Sequence, residues 1–376
     1  MDSLICEYKK CTGCAACFSI CPKNCITMHA DEEGFLRPKI DDSMCINCNR
    51  CKKVCPINKK TMDDNKIPKT FAVKHKDDAV RKKSSSGGVF TAISEIILKS
   101  FGVVIGAGFD ENFMVKHKIC NNVESLDELR RSKYVQSRIG TVLQDTKKYL
   151  DKGINVLFVG TPCQVEGLLS YLGKTYTNLY TIDFICHGVP SPMAWKKYME
   201  FRRKSANAEI TDISFRSKEL GWKNYSMKID FSNGNKYSST VSEDMYLRSF
   251  IMDMDLRPSC YDCHFKTIHH LSDFTVADYW GADKQIPEWN DNKGISLVLA
   301  HSEKAINLLA ECNSVDVLEV PFERAIEGNP SLTTSVKQPN LRKKFMREIQ
   351  IKSFDKLHDK YCGNNILAKV RRKMPG

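Results

Sequence analysis

The sequence has no mark of export. Met1-Asp-Ser-Leu-Ile-Cys-Glu has neither the basic start nor the apolar stretch of a signal peptide. The longest apolar runs, such as Ile154–Val159, are far too short to cross a bilayer, so no transmembrane segment is expected. The expected compartment is the cytoplasm, where thiols are kept for metal rather than for bridges. A dinucleotide fingerprint is also missing: Gly106-x-Gly108 is followed by no third glycine and no helix start. Evenly spread positive charge is lacking too. The net charge is +12, but eleven Lys/Arg against three Asp/Glu fall between Leu341 and Gly376. That tail suits an acidic partner or a weak peripheral membrane contact. A solvated helix with a frayed end is the simpler reading, and no nucleic acid is expected as a partner.

What the chain has in excess is cysteine, seventeen in 376 residues, with ten at or before position 55. Cys11-x2-Cys14-x2-Cys17-x3-Cys21-Pro22 is repeated as Cys45-x2-Cys48-x2-Cys51-x3-Cys55-Pro56. This is the spacing of bacterial two-cluster ferredoxins, in which the fourth Cys of each run ligates the other cluster. Cys11, Cys14, Cys17 and Cys55 are therefore assigned to one 4Fe–4S cluster, and Cys45, Cys48, Cys51 and Cys21 to a second. Zinc has no use for the third C-x2-C step, and disulfides are the remaining rival. Cys6 and Cys25 are left over as spare buried thiols. The spacing predicts a chain that handles single electrons.

The reading in order is a dicluster ferredoxin domain over 1–60, a linker over 61–70, and a larger domain in two parts, 71–150 and 151–325. A basic, mainly helical tail covers 326–376. Ile26–His29 and Gly34–Pro38 form a short hairpin, and Phe71–His75 a strand. Ser84-Ser-Ser-Gly-Gly before the amphipathic run Phe90–Leu98 supplies an N-cap and free N–H groups, an anion site or merely a cap. Phe101–Phe109 and Met114–Ile119 make a hairpin. Ile154–Val159, a helix through Leu172, and Leu179–Ile185 make a β-α-β unit. Ile213–Arg216 and Tyr225–Phe231 alternate as antiparallel strands with Asn233-Gly234 as their turn. The expected fold class is α/β, a mixed sheet with a parallel β-α-β core, plus a small N-terminal α+β dicluster ferredoxin domain.

A second group of thiols lies in the larger domain: Cys163 and Cys186, just past the ends of two parallel strands, and Cys260-x-x-Cys263. Open α/β sheets place their sites at such strand ends. A third 4Fe–4S cluster needs four thiolates and these would serve. Zinc on Cys260, Cys263 and His264 or His269 is the second choice. Cys260-x-x-Cys263-His264 also meets the c-type haem rule, which the missing export signal disfavours. Cys120, Cys312 and Cys362 are read as structural.

Taken together, Ser86-Gly-Gly, Lys133-Tyr-Val-Gln-Ser137, Gly160-Thr-Pro-Cys-Gln164, Cys186-His-Gly-Val-Pro-Ser-Pro192, Cys260-x-x-Cys263 and Ser272-Asp-x-Thr-x-x-Asp-Tyr-Trp-Gly281 resemble the coenzyme F420 hydrogenase/dehydrogenase beta-subunit family. The resemblance spans about residues 71–340, with the dicluster ferredoxin in front. It implies an iron–sulfur flavoprotein binding FAD and a third 4Fe–4S cluster on Cys163, Cys186, Cys260 and Cys263. It further implies electron traffic between ferredoxin-type clusters and a two-electron organic acceptor. Relatives act on the deazaflavin coenzyme or reduce 7-hydroxymethyl chlorophyll a, and others sit among polysaccharide-biosynthesis enzymes. Reverse flow from reduced deazaflavin, or an electron-transfer subunit without its own substrate, are the alternatives. The implied flavin contacts are Ser86, Gly87, Gly88, Lys133, Tyr134, Gln136, Ser137, Thr161 and Gln164, with pyrophosphate at helix-start N–H groups. His187 is the candidate proton donor at the flavin, or a residue orienting Cys186. Asp278 and Trp280 are expected to close the sheet edge. Implied partners are a redox protein, such as ferredoxin or a hydrogenase/dehydrogenase subunit, and a small-molecule acceptor.

Overall fold

The computed structural model describes residues 5–59 and 66–363. Half of the expected linker, residues 61–65, and the tail beyond 363 lie outside the described residues. In the N-terminal module, β1 (Ile26–Ala30) and β2 (Leu36–Ile40) pair antiparallel as the expected hairpin. Two five-residue helices, Ala16–Ile20 and Arg50–Val54, repeat one geometry. Each follows a residue in the left-handed region, Ala15 at φ 61° and Asn49 at φ 57°, and each ends on an extended cysteine, Cys21 or Cys55. That extended exit turns the fourth thiol of each run away from its own helix.

The body contains β3 (Lys69–His75), β4 (Val103–Phe109), β5 (Val115–Cys120), β6 (Val156–Val159) and β7 (Leu179–Phe184). After these come β8 (Ile210–Ser217), β9 (Ser226–Phe231), β10 (Lys236–Thr240), β11 (Phe274–Asp278), β12 (Ser296–Ala300) and β13 (Val315–Glu319). Among the described residues, eight of these strands form one mixed sheet in the order β13-β3-β12-β11-β7-β6-β4-β5. Its centre, β4-β6-β7-β11, is parallel, and its flanks are antiparallel. The expected α/β class with a parallel core is what the chain adopts. β8, β9 and β10 form a separate antiparallel sheet.

Three expectations change. Asn233-Gly234 turns β9 into β10, whereas β8 reaches β9 through residues 218–225. β11 lies at the sheet's centre, so Asp278 closes no edge; it pairs with Arg216 and accepts Trp222 Nε1–H at 2.9 Å, while Trp280 stacks on Trp222. The tail is not a solvated helix as far as residue 363. Its helices Arg342–Glu348 and Phe354–Tyr361 bury Phe345, Met346, Ile349, Phe354, Leu357 and Tyr361 against Trp195, Tyr198, Phe215 and Tyr246. Cys120, Cys312 and Cys362 are buried within the body.

Module and body share an apolar core. Ala15, Ala16, Cys17, Ile26 and Val54 pack with Phe158, Val165, Leu168 and Leu172. One close approach is at Gly167, where a Cβ would stand 2.8 Å from Cys14 Cβ and 3.0 Å from its sulfur, so only glycine admits the module there. Arg342 grips the module's hairpin turn, its Nη1 donating to Glu33 Oε1 at 2.6 Å.

Candidate functional site

Gly160-Thr-Pro-Cys-Gln164 is a helix start. Thr161 caps the helix Pro162–Leu172, Pro162 opens it, and Gln164 Oε1 accepts the Thr161 N–H at 3.0 Å. This box fixes Cys163 in the first turn, with the Thr161 hydroxyl 3.1 Å from its sulfur. The neighbouring parallel strand β7 ends two residues before Cys186. A short 3-10 helix, Pro258–Asp262, carries Cys260, with Cys263 next after it. All four thiols line one cavity of about 510 Å³, together with Thr12, Arg257, Lys266, His187 and His270. No Asp or Glu lines it.

Burial pushes the Cys186 thiol up to about 12 and Cys260 up to about 11, and it raises Cys163 and Cys263 as well. Thiols held protonated in this way are poor nucleophiles. A strongly cationic inorganic core would convert them to thiolates. Among the described residues, no three His, Cys, Asp or Glu side chains close around a point fit for a single metal ion. Four thiols around one cavity are the number that a 4Fe–4S core requires.

The module gathers its thiols in two further sets. Cys21, Cys45, Cys48 and Cys51 line a cavity of about 340 Å³, and Cys48 is exposed. Cys11, Cys14 and Cys55 stand near enough to Cys17 for their charges to add to burial in raising its thiol. The left-over thiols are not remote: Cys25 lines the outer cavity with its sulfur 3.3 Å from that of Cys21, and Cys6 bonds to both Cys11 and Cys55.

Arg257 joins the inner module set to the central cavity. Only 1% exposed, it donates Nε–H to the Cys11 carbonyl at 2.8 Å, Nη1–H to Gln136 Oε1 at 2.6 Å and Nη2–H to the Leu36 carbonyl at 3.0 Å. Its Nη2 stands 3.8 Å from Cys11 Sγ. A Cys6 thiol donor and this guanidinium bring Cys11 down to about 5.

His187 lies on the cavity wall, Nε2 at 2.6 Å from Asp253 Oδ1, its ring edge-on to Phe250. Phe250 stacks on Tyr134 at 4.7 Å, so rings lead from the cavity to a cationic, aromatic group beyond. There Tyr134 and Tyr225 lie against Arg216, whose buried Nε and Nη2 have no hydrogen bond within 3.5 Å among the described residues. Lys218 donates to the Ser86 carbonyl at 3.1 Å, and burial lowers it to about 8.

The structure separates the implied flavin residues. Ser86 and Tyr134 border the Arg216 group; Lys133 lies over the Phe109 ring, is brought down to about 7 by burial and gives Nζ–H to the Arg130 carbonyl at 2.7 Å. Gly87 is wedged between strands: its N–H goes to Ser296 Oγ, and a Cβ would stand 2.3 Å from the Val73 carbonyl. Gly88, at φ 93°, is the residue of the Ser84–Gly88 stretch that serves as the N-cap. Gln136 turns to the module, donating to the Thr12 carbonyl at 2.8 Å, while the Ser137 hydroxyl bonds His117. Thr161 and Gln164 serve the helix start beside Cys163. Arg216, Lys218, Tyr225, Arg257, Lys266 and His270 escaped the sequence reading. An arginine between two cysteine sets, as in Leu256-Arg-Pro-Ser-Cys260, was the one available signal.

Residues 153–323 match the family model for the C terminus of the coenzyme F420 hydrogenase/dehydrogenase beta subunit, and residues 10–59 match the 4Fe-4S dicluster domain. Among solved structures, the chain is similar to one in the F420-reducing NiFe hydrogenase complex from Methanosarcina barkeri, studied by xenon derivatization. The identity is 15%, with 77% of this chain and 93% of that chain covered at a TM-score of 0.47. No curated protein matches. Among the described residues, no helix is long and apolar enough to cross a membrane.

Proposed function

We propose a specific redox role for a chain that belongs, through its C-terminal domain, to the coenzyme F420 hydrogenase/dehydrogenase beta-subunit family and carries a 4Fe–4S dicluster domain in front of it. The chain takes single electrons from a redox partner protein and hands them, paired on a flavin, to a small organic acceptor. Iron–sulfur cores on the three thiol sets supply one-electron carriers, and FAD supplies the conversion to pairs.

The observation that carries this reading is the convergence of Cys163, Cys186, Cys260 and Cys263 on one acid-free cavity beside the module. The residues around it have separable tasks. Cys48, exposed among Met44 and Ile46, puts the outer thiol set at a surface that a partner protein can reach. Cys14, packed on Gly167, sets the inner module thiols against the helix that carries Cys163. Arg257 holds the two regions in register and offers positive charge to both. Lys133, Tyr134, Arg216 and Tyr225 form the donor and ring set for a flavin, and Nε and Nη2 of Arg216 fit its anionic groups. His187, oriented by Asp253, holds a proton between the cavity and Phe250.

Anaerobic purification tests the reading. About twelve irons and one flavin per chain are expected, falling to about eight irons in Cys186→Ser with loss of turnover. Eight irons in both proteins would remove the third site. Twelve irons without flavin would leave an electron-transfer subunit. The family match favours one second reading, oxidation of reduced deazaflavin to feed a partner; it is preferred if deazaflavin reduces the bound flavin and reduced ferredoxin does not.

A further inference from the structure

Two of the cations on the wall of the cysteine cavity are already engaged. Arg257 gives its donors to the module, and Lys266 gives Nζ–H to the carbonyls of Cys186 and Ser331. His270 differs. Its side chain is 3% exposed, its Nδ1 lies 2.8 Å from Asp183 Oδ2 and 3.0 Å from Thr275 Oγ1, the Thr267 carbonyl lies near the ring, and its buried Nε2 has no hydrogen bond within 3.5 Å among the described residues. Buried polar atoms are nearly always bonded, so a lone ring nitrogen on a cavity wall points to the occupant of that cavity.

The hydrogen-bond pattern fixes the protons. Thr275 gives its hydroxyl proton to Asp183 Oδ1 at 2.6 Å and accepts from His301 Nε2 at 2.8 Å. Asp183 Oδ2 is then met by the Nδ1–H of His270, and Nε2 carries a hydrogen in the cationic ring. Burial opposes that cation, but Asp183, Glu166 and the Thr267 carbonyl together outweigh it and the pKa is raised. His301, stacked on His270 with centroids 5.7 Å apart, is pushed down to about 4 by burial and stays neutral. Glu166, pushed up to about 7 by burial, and Asp273 are further carboxyl groups near this pair. The raised pKa favours a positive charge on His270, balanced by Asp183 behind it.

We propose that His270, held by Asp183, donates its Nε2–H to the iron–sulfur core of the Cys163, Cys186, Cys260 and Cys263 site, a net anion once its four thiolates are counted, and raises that site's reduction potential. The proposal rests on the third site of the functional reading above. A donor and a positive charge both favour the more negative, reduced state of such a core, and hydrogen bonds near its sulfurs are a recognised lever on potential. His270 is a positioning residue here, acting on the core rather than on a substrate.

The test is a potentiometric titration, followed by electron paramagnetic resonance, of the full-length protein purified anaerobically with all its irons. The signal that disappears in Cys186→Ser identifies the inner site. In His270→Leu its midpoint is expected to move to more negative potential; His270→Gln, which keeps an N–H, moves less, and the module signals stay in place. Eight irons in the wild type would end the underlying reading. Twelve irons with an unmoved inner midpoint in His270→Leu would overturn this proposal alone. Should His270→Leu lose the inner irons, Asp183→Asn decides: a lowered midpoint supports the pair, and an unmoved one overturns it.

Discussion

The module and the body gather thiols by opposite means. In the module, eight ligand cysteines fall within residues 11–55, and local spacing brings them together through two short helices entered from the left-handed region. In the body, four cysteines spread over residues 163–263 meet because parallel strands β6 and β7 end side by side and a 3-10 helix folds over them. The first arrangement is written in the sequence as a period. The second is written in the topology. A dense local set needs its inorganic core to become a structure, whereas a dispersed set sits on a scaffold that exists without it.

This difference governs what could be read in advance. The module's dicluster domain and hairpin, the β6–helix–β7 unit and the fold class were legible because each is a short-range pattern of spacing or alternation. The Asn233-Gly234 turn was recognised as a turn but given to the wrong pair of strands, since a turn signal says nothing of which strand lies beyond it. The central place of β11 was invisible because sheet order depends on contacts between distant segments. The C-terminal helices were misjudged because their Lys and Arg drew attention from the stripe Phe345, Ile349, Phe354, Leu357 and Tyr361, which packs on Trp195 and Tyr198. Lys133–Ser137 looked like one binding motif, yet its extended backbone sends Tyr134, Gln136 and Ser137 to three different neighbours.

Iron removal offers the largest contrast. Anaerobic chelation should unfold the module and leave the body standing, because metal binding and folding are coupled where the apolar core is small. Hydrogen exchange is the measurement. Amides of β1 and β2 should lose protection by orders of magnitude while those of β6, β7 and β12 keep theirs. Equal loosening of both regions would mean that the body depends on iron as much as the module does.

Arg257→Gln sharpens the comparison at the junction. The substitution strands the carbonyls of Cys11 and Leu36 and frees Gln136. Loss of several hydrogen bonds from a buried charged group predicts a cost on the order of 2–4 kcal/mol. Urea unfolding followed through the visible absorption of the clusters should show it. A change below about 0.5 kcal/mol would mean that apolar packing around Gly167 alone seats the module.

Acid supplies the smallest contrast, and one that belongs to the body. His117 on β5 is buried, donates Nε2–H to the Val159 carbonyl at 3.0 Å, bonds Ser137 through Nδ1 and stacks on Phe158. Burial pushes its pKa from 6.5 down to about 4. Below pH 6.5 the unfolded chain takes up a proton that the folded chain refuses, so stability falls as pH drops from 6.5 towards 4. At pH 5 this amounts to about 2 kcal/mol. All four tryptophans lie beyond residue 190, so their fluorescence in urea reports the body alone. Between pH 7 and pH 5 the wild type should lose about 2 kcal/mol more than His117→Gln. Equal losses in the two proteins would place the body's acid sensitivity elsewhere than in His117.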